Sequence, residues 1–180
     1  MSAQPFLGCP TVVDSGFESP ALGEGTSLFY QPTNGWDLTG NFFLFNPSSP
    51  GVSQGVIALD SNTAVLSQTL ADTYEPHRLY ELTFTLFPQA GTNYDASGGF
   101  TVSLGTEAYP VAGETDTFLF SAFQVDVVNN VTLSLWVTGT SPLDGEPIKI
   151  TVSFFGDGNS PVFDNFELCV VERTSTSTST

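Results

Sequence analysis

Trp136 is the residue whose type and setting most directly suggest a binding chemistry. In the alternating segment 131–138 it falls on the same side as Thr132, Ser134 and Thr138, whereas aliphatic residues occupy the other side. An indole ring can stack on the apolar face of a pyranose while neighbouring hydroxyl groups bind the sugar hydroxyls. The pattern predicts a sugar-stacking surface, unless a loop covers the ring or a bulge shifts the register by one residue.

Three further aromatic residues extend this predicted surface. Phe87 and Phe155 occupy the hydroxyl-rich sides of two other alternating segments, and Tyr94 lies in the glycine-rich stretch 91–99, where a loop can determine specificity. We therefore expect one continuous face of aromatic rings and hydroxyl groups. The predicted ligand-binding residues are Trp136, Phe87, Phe155, Tyr94, Thr132 and Ser134.

Side chains for catalysis are less well defined. The single histidine, His77, lies between Pro76 and Arg78 in a predicted surface turn, and the sequence contains no nucleophile-elbow motif. The 19 acidic residues do not single out a hydrolytic carboxylate pair. The residues therefore favour a non-catalytic binding domain over an enzyme.

The two cysteines, Cys9 and Cys169, lie at opposite ends of the chain, and with one histidine and no CxxC motif they do not form a zinc site. They are either two inert buried thiols or a disulfide between the first and last strands. We predict the disulfide, because closing so long a loop would stabilise the fold. The sequon Asn130-Val131-Thr132 agrees with a secreted or extracellular protein, with Asn130 as the glycosylation site.

The charge balance restricts the partners. Lys and Arg number 3 against 19 Asp and Glu, so the formal net charge is −16. Such a surface repels phosphate backbones and anionic lipids, which argues against nucleic acid and anionic membranes as partners. Neutral glycans, cations and basic surfaces remain as possible partners. The first four residues lack the basic and apolar regions of a signal peptide, so either a signal was removed or secretion never occurred.

Alternation with a period of two dominates the chain and predicts strands rather than helices. The clearest strands are 80–87, 100–104, 131–138 and 148–155, with further candidates at 11–13, 41–45, 56–60, 65–70, 118–127 and 163–171. Ten or so short antiparallel strands with glycine-containing turns predict an all-β, two-sheet jelly-roll sandwich.

The domain boundaries follow from composition. We expect an N-terminal extension at 1–10, a β-sandwich domain at 11–173 and a Ser/Thr-rich tail at 174–180. The tail contains no apolar residue and is therefore expected to be a flexible linker, which could join this domain to others.

Four segments, taken in order, resemble a known fold. They are VVDSGFE at 12–18, Gly35-Trp36, LSQTL at 66–70 and VFDNFEL at 162–168. Together they resemble the galactose-binding-like jelly rolls of the carbohydrate-binding module superfamily, across residues 11 to 171. The resemblance implies that Trp36 belongs to the core. It also implies a structural calcium held by Glu18 and Asp164, with Asp14 as a third candidate; the alternative is that these acids only cap turns.

The same segments are similar to two narrower groups: bacterial surface proteins with a C-terminal anchor, and the calcium-dependent cyclases of indole alkaloid biosynthesis. The cyclase resemblance implies a catalytic carboxylate near the closing strand. Two residues before Asp164, however, this chain has Val162. We therefore predict a carbohydrate-binding module for a neutral glycan, with a small-molecule cyclase and a structural or adhesive surface protein as alternatives.

Overall fold

The computed structural model describes residues 6–31, 35–49, 52–59, 61–90, 97–109 and 112–172. Tyr94 and the Ser/Thr tail lie outside these ranges. Within them the secondary structure consists of twelve strands and two short 3-10 turns, Ser61–Thr63 and Phe120–Ala122. The strands are β1 (Phe6–Gly8), β2 (Ser27–Phe29), β3 (Trp36–Thr39), β4 (Asn41–Phe45), β5 (Gly55–Leu59), β6 (Val65–Thr73), β7 (Arg78–Phe87), β8 (Gly99–Gly105), β9 (Glu114–Leu119), β10 (Asn129–Val137), β11 (Pro147–Phe155) and β12 (Val162–Glu172).

The strands form two antiparallel sheets. The seven-stranded sheet has the order β10-β7-β12-β5-β4-β2, with β1 paired to β12, and the five-stranded sheet has the order β3-β6-β11-β8-β9. The predicted all-β jelly-roll sandwich is therefore confirmed. In the described ranges, no helix is both long and apolar enough to span a membrane.

The core lies between the sheets and follows the alternation of the sequence. On β7, Tyr80, Leu82, Phe84 and Leu86 are each at most 2% exposed, while the intervening residues 81, 83 and 85 face outward and are half-buried. Phe84 stacks on Phe166 with ring centroids 4.8 Å apart. Fully burying one such side chain contributes about 1.5–3 kcal/mol, so this aromatic layer is a major source of stability.

The four segments that carry the resemblance contact one another inside the fold. Phe17 packs on Trp36 with centroids 5.4 Å apart, and Trp36 packs on Phe166 at 5.2 Å. The Gln68 side chain accepts a hydrogen bond from the Val13 N–H at 2.8 Å and donates one to the Val13 carbonyl at 2.9 Å. Trp36 is 4% exposed, which places it in the core as the resemblance implies.

Two predicted strands are wrong. Residues 11–13 lead into a turn, where the Gln68 side chain satisfies the Val13 backbone in place of a neighbouring strand. The predicted strand 118–127 stops at Leu119, where the chain enters the 3-10 turn Phe120–Ala122 and the Phe120 N–H bonds the Gly98 carbonyl. Alternation cannot distinguish these local solutions from a sheet, because both satisfy the backbone polar groups.

The two ends of the domain are joined. β1 pairs with β12 through Gly8 and Val170, and Cys9 forms a disulfide with Cys169, so the predicted bridge is present. The disulfide links residues 160 positions apart and holds the short strand β1 against β12.

Candidate functional site

A bulge in β12 creates the candidate site. Asp164 pairs with Thr85 of β7, but Glu167 pairs with Thr83, so β12 contains one extra residue in this interval. Asn165 absorbs the extra residue with a φ of 54°, a left-handed conformation that asparagine tolerates better than most residues. As a result Asp164 is only 5% exposed, while Asn165 faces the solvent.

The Asp164 carboxylate is surrounded by hydrogen-bond donors. Oδ1 accepts a hydrogen bond from the Asn165 N–H at 2.7 Å, and Oδ2 accepts one from Asn165 Nδ2 at 2.8 Å and another from the Ser53 hydroxyl. Burial nevertheless raises the pKa of Asp164 to about 6, with a further contribution from Glu18, against the opposing effect of the Ser53 and Asn165 donors. The group is thus close to the range in which a carboxyl acts as a general acid near neutral pH.

The opening turn of the domain docks on this bulge. The Phe17 N–H bonds the Asp14 carbonyl at 3.1 Å, and the Ser15 carbonyl accepts the Phe166 N–H at 3.0 Å. Gly16 stands at the centre of the contact. A Cβ at Gly16 would lie 3.5 Å from Glu18 Cγ, 3.6 Å from Asp164 Oδ1 and 3.8 Å from Asn165 Oδ1.

The acidic groups around Gly16 influence one another. Partial burial raises the pKa of Glu18, and the neighbouring Asp14 raises it further. The Tyr30 hydroxyl donates to Asp14 Oδ2 at 3.1 Å, and burial together with Asp14 raises the pKa of Tyr30. Carboxylate and amide oxygens near a glycine have the chemistry that calcium prefers.

The carboxylate oxygens of Asp14, Glu18 and Asp164 do not all lie within 4.8 Å of one another. In the described residues, the one group of three or more possible ligands within that distance is Cys9, Glu167 and Cys169. Its two sulfurs form the disulfide, so this group does not describe a metal site. The donor set around Gly16 fits calcium by its chemistry, with further oxygen ligands needed to complete it.

An apolar wall borders the other side of Asp164. A cavity of about 40 Å³ is lined by Val52, Ser53, Thr85, Phe87, Val128, Val162, Asp164 and Asn165. Phe87 and Val162 face each other across β7 and β12 and form, with Ile57, a second buried apolar cluster. The arrangement places a buried carboxyl against aliphatic and aromatic side chains.

This second cluster corrects one prediction. Phe87 lies on the outer face of its sheet, as the alternation requires, but it is 3% exposed and belongs to the wall of the cavity. It is therefore not part of an open sugar-binding face. The residues that cover it come from distant segments, including Val52 and Val128, which alternation within β7 cannot reveal.

Among the described residues, the predicted aromatic rings do not form one continuous face. Trp136 of β10 lies opposite Leu79 of β7, and Phe87 lies eight residues further along β7. At roughly 3.3 Å per residue, Trp136 and Phe87 are therefore about 25 Å apart along the sheet. Phe155 lies on β11 of the other sheet, where it pairs with Gly99.

Trp136 keeps the register that alternation predicts. It is half-buried on the outer face of β10, with Thr132 and Ser134 exposed beside it. Its ring lies 6.5 Å from the His77 ring. Asn130 of the sequon is exposed on the same strand. Tyr94 lies outside the described residues.

Sequence reasoning missed Ser53, Asn165 and Val128 as parts of the site. Asn165 directly follows Asp164 in the closing segment. Asparagine tolerates a positive φ, and this property could have indicated the bulge. Ser53 and Val128 carry no local signal, because only the fold brings them to β12.

Solved structures with the same fold include cyclases and carbohydrate-binding modules. A cyclase from Fischerella sp. TAU in complex with 4-(1H-indol-3-yl)butan-2-one has a TM-score of 0.68 and 20% identity, over 92% of this chain and 99% of the other. TmCBM61 in complex with β-1,4-galactotriose has a TM-score of 0.56 and 19% identity, over 86% and 94%. The CBM22-1 xylan-binding domain of Paenibacillus barcinonensis Xyn10C has a TM-score of 0.52 and 13% identity, over 96% and 100%.

Identities this low establish a shared fold, and the search of curated proteins found no match. A family model is more specific. The model named HpiC1-like, described as HpiC1 cyclase, matches residues 9–169, from one cysteine of the disulfide to the other. The chain therefore belongs to the HpiC1-like cyclase family.

Proposed function

We propose that this protein binds a small, largely apolar molecule over Asp164, at the mouth of the cavity of about 40 Å³, which admits only part of such a molecule, and promotes its cyclisation with Asp164 as the proton donor. The observation that carries the proposal is a buried carboxyl whose pKa is raised to about 6 next to an apolar wall. Membership of the cyclase family supports this function over glycan binding.

The chemistry follows from the surroundings of Asp164. Protonation of a carbon–carbon or carbon–nitrogen double bond leaves a cation on the substrate, and a second double bond of the same molecule can attack it and close a ring. Loss of a proton to the Asp164 carboxylate then restores the acid, so the reaction is an isomerisation that needs no other reactant. The ring of Phe87 can stabilise positive charge nearby, and the buried side chain of Val162 shields that charge from water on one side.

Asp164 replaces the acid that the cyclase resemblance implies two residues earlier. At that earlier position Val162 is 3% exposed and packs in the apolar cluster with Ile57 and Phe87. The chain thus has a hydrophobic wall at 162 and a carboxyl at 164, and both line the same cavity.

Binding is the first property to test. Isothermal titration of the chain with 4-(1H-indol-3-yl)butan-2-one, the ligand of the Fischerella cyclase structure, is expected to show saturable binding. Phe87→Ala should abolish it, whereas Phe155→Ala, on the other sheet, should leave it unchanged. No binding, or equal binding by both variants, would count against the cavity as the site.

Calcium is a second proposal at the same place, with Glu18, Asp164 and Asp14 as the residues that would hold it. A cation next to Asp164 would favour its ionised form and so oppose proton donation. Thermal melts with calcium and with a chelator separate the two roles. A calcium-dependent melting temperature that Glu18→Gln removes would support the metal site, and a temperature that calcium does not change would reject it.

Binding of a neutral glycan is the second candidate function, and it rests on Trp136 beside the exposed hydroxyls of Thr132 and Ser134. The net charge of −16 favours neutral over acidic sugars. A glycan array is the direct test of this function. Saturable binding that Trp136→Ala removes without loss of fold would support glycan binding, and the absence of binding to every glycan on the array would reject it. The disulfide and the sequon support an extracellular location for either function.

A further inference from the structure

The disulfide that joins the ends of the domain has a carboxylate beside it. Glu167 and Cys169 are two residues apart on β12, so both side chains point to the outer face of the seven-stranded sheet. Cys9 follows β1 and lies against both of them. The two sulfur atoms and a carboxylate oxygen of Glu167 all lie within 4.8 Å of one another, and 3.9 Å separates Cys9 Sγ from Glu167 Oε1. The function proposed above uses none of these groups.

These separations match those between the ligands of one zinc ion. Zinc binds thiolate sulfur at about 2.3 Å and carboxylate oxygen at about 2.0–2.2 Å, in tetrahedral geometry. The tetrahedral angle then places a sulfur ligand and an oxygen ligand about 3.6 Å apart. The distance of 3.9 Å between Cys9 Sγ and Glu167 Oε1 is close to this value. No sequence motif marks the group, because its ligands come from opposite ends of the chain.

We propose that reduction of the disulfide converts this group into a binding site for zinc or another thiolate-binding divalent cation, with Cys9, Glu167 and Cys169 as ligands. While the disulfide is intact, its sulfurs offer no thiolate to a metal. A dithiol supplies the two electrons: it becomes a cyclic disulfide, and the two cysteines become thiols. Zinc then displaces one proton from each thiol, and a water molecule completes the four ligands.

The reduced chain can bring the two sulfurs to the spacing that zinc requires, which is about 3.8 Å for two thiolates in a tetrahedron. Cys169 is held within β12 by the pairing of that strand with β7. Cys9 follows a strand of only three residues, which pairs with β12, and residues 10–13 after it form no strand. We therefore expect Cys9 to move and Cys169 to keep its position.

The surroundings give a cation access to the site and favour its charge. Clefts of about 410 Å³ and about 390 Å³ both have Cys9 in their walls, and Cys9 and Glu167 are exposed. Glu81 of β7 lies opposite Cys169 on the same outer face and adds a second carboxylate nearby. The net charge of −16 also attracts divalent cations. A metal ion at this place would join the two ends of the domain when the disulfide is absent.

Cobalt spectroscopy on the full chain tests the proposal. The chain is reduced with a dithiol, separated from the reductant without oxygen, and titrated with Co²⁺. Cobalt–thiolate bonds give charge-transfer bands, and tetrahedral cobalt absorbs strongly in the visible range. We expect saturation at one ion per chain, loss of the bands when zinc is added, and none of these bands in the chain with its disulfide intact. No bands in the reduced chain, or equal bands in both forms, would overturn the proposal.

Glu167→Gln tests whether the carboxylate is a ligand. This change should weaken zinc binding by the reduced chain roughly tenfold or more, measured by competition with a zinc chelator of known affinity. Glu114→Gln, at an exposed acid of β9 in the other sheet, should leave the affinity unchanged. Equal affinity in Glu167→Gln and the parent chain would reject the three-ligand site.

A thermal melt distinguishes a site in the folded chain from binding to unfolded thiols. A ligand that binds only the folded state raises the melting temperature, whereas one that prefers the unfolded state lowers it. Zinc should therefore raise the melting temperature of the reduced chain and leave that of Cys9→Ser/Cys169→Ser unchanged. An unchanged or lowered melting temperature of the reduced chain would overturn the proposal, and so would an equal rise in the double variant.

Discussion

The hydroxyl of Ser53 donates a hydrogen bond to the carboxylate of Asp164, although 111 residues separate them in the sequence. Ser53 belongs to the segment that covers the outer face of the seven-stranded sheet, and Asp164 lies at the bulge of β12. This contact joins the wall of the cavity to its acid.

Replacing Asp164 should change how stability depends on pH. The pKa of Asp164 is raised to about 6 in the folded chain, from 3.8 as an ordinary carboxyl, so between these values the folded state binds more protons than the unfolded state. Its contribution to stability is therefore fully present below about pH 4 and is lost as the pH rises to about 6, by at most about 3 kcal/mol. Urea denaturation from pH 4 to 7 should show this slope in the parent chain and a flatter one in Asp164→Asn. Glu167→Gln, an exposed acid on the same strand, should keep the parent slope.

Ser53→Ala should make that pH dependence steeper. The Ser53 hydroxyl favours the ionised form of Asp164, so its removal raises the pKa of Asp164 further. At pH 7 the loss should be about 1.5–3 kcal/mol, the usual contribution of a hydrogen bond to a charged group, because Asn165 Nδ2 still donates to Asp164 Oδ2 in the variant. The loss should shrink at low pH, where Asp164 is protonated. Denaturation at both pH values measures the difference. Ser48→Ala, in the same loop but exposed, should cost almost nothing, and a loss at Ser53 that does not vary with pH would contradict the coupling.

Gly55→Ala should disrupt the site through the backbone of β12. A Cβ at Gly55 would lie 2.6 Å from Val162 Cγ1 and 3.2 Å from Asp164 Cβ, so β5 and β12 would have to separate. We expect a loss of about 1–3 kcal/mol, the cost of overpacking, together with weaker binding of the indole probe. Gly145→Ala is the matched control, since a Cβ there meets nothing within 4 Å, although its positive φ of 77° adds local strain. Unimpaired probe binding by Gly55→Ala would show that the cavity does not depend on this approach.

Removing the disulfide should destabilise the domain and release β1. Cys9→Ser/Cys169→Ser opens a link between residues 160 positions apart, and the expected cost is about 2–5 kcal/mol. Thermal denaturation of the double variant, and of the parent chain with and without a reductant, measures it. The reduced parent chain should melt like the variant. Equal melting temperatures in all samples would mean that the sheets alone hold the ends together.

Several features could be predicted from residues alone because they depend on local alternation. The inward residues of β7, β10 and β11 follow directly from a period of two, and so does the side of β10 on which Trp136 lies. Cys9 and Cys169 also followed from the sequence, since two cysteines at the ends of a sandwich domain leave few possible partners. Strand predictions failed where another part of the chain hydrogen-bonds the backbone N–H and C=O groups, as the Gln68 side chain does at Val13.

The sequence by itself determined the fold class, the composition of the core and the position of Trp136, because each depends on the periodicity of one segment and on strand geometry. Only the tertiary structure decided that Phe87 is covered, that Phe155 lies on the other sheet and that Ser53 meets Asp164. Such relationships arise from strand order and from a one-residue bulge. They connect residues far apart in the chain, and no local pattern encodes which segments will lie side by side.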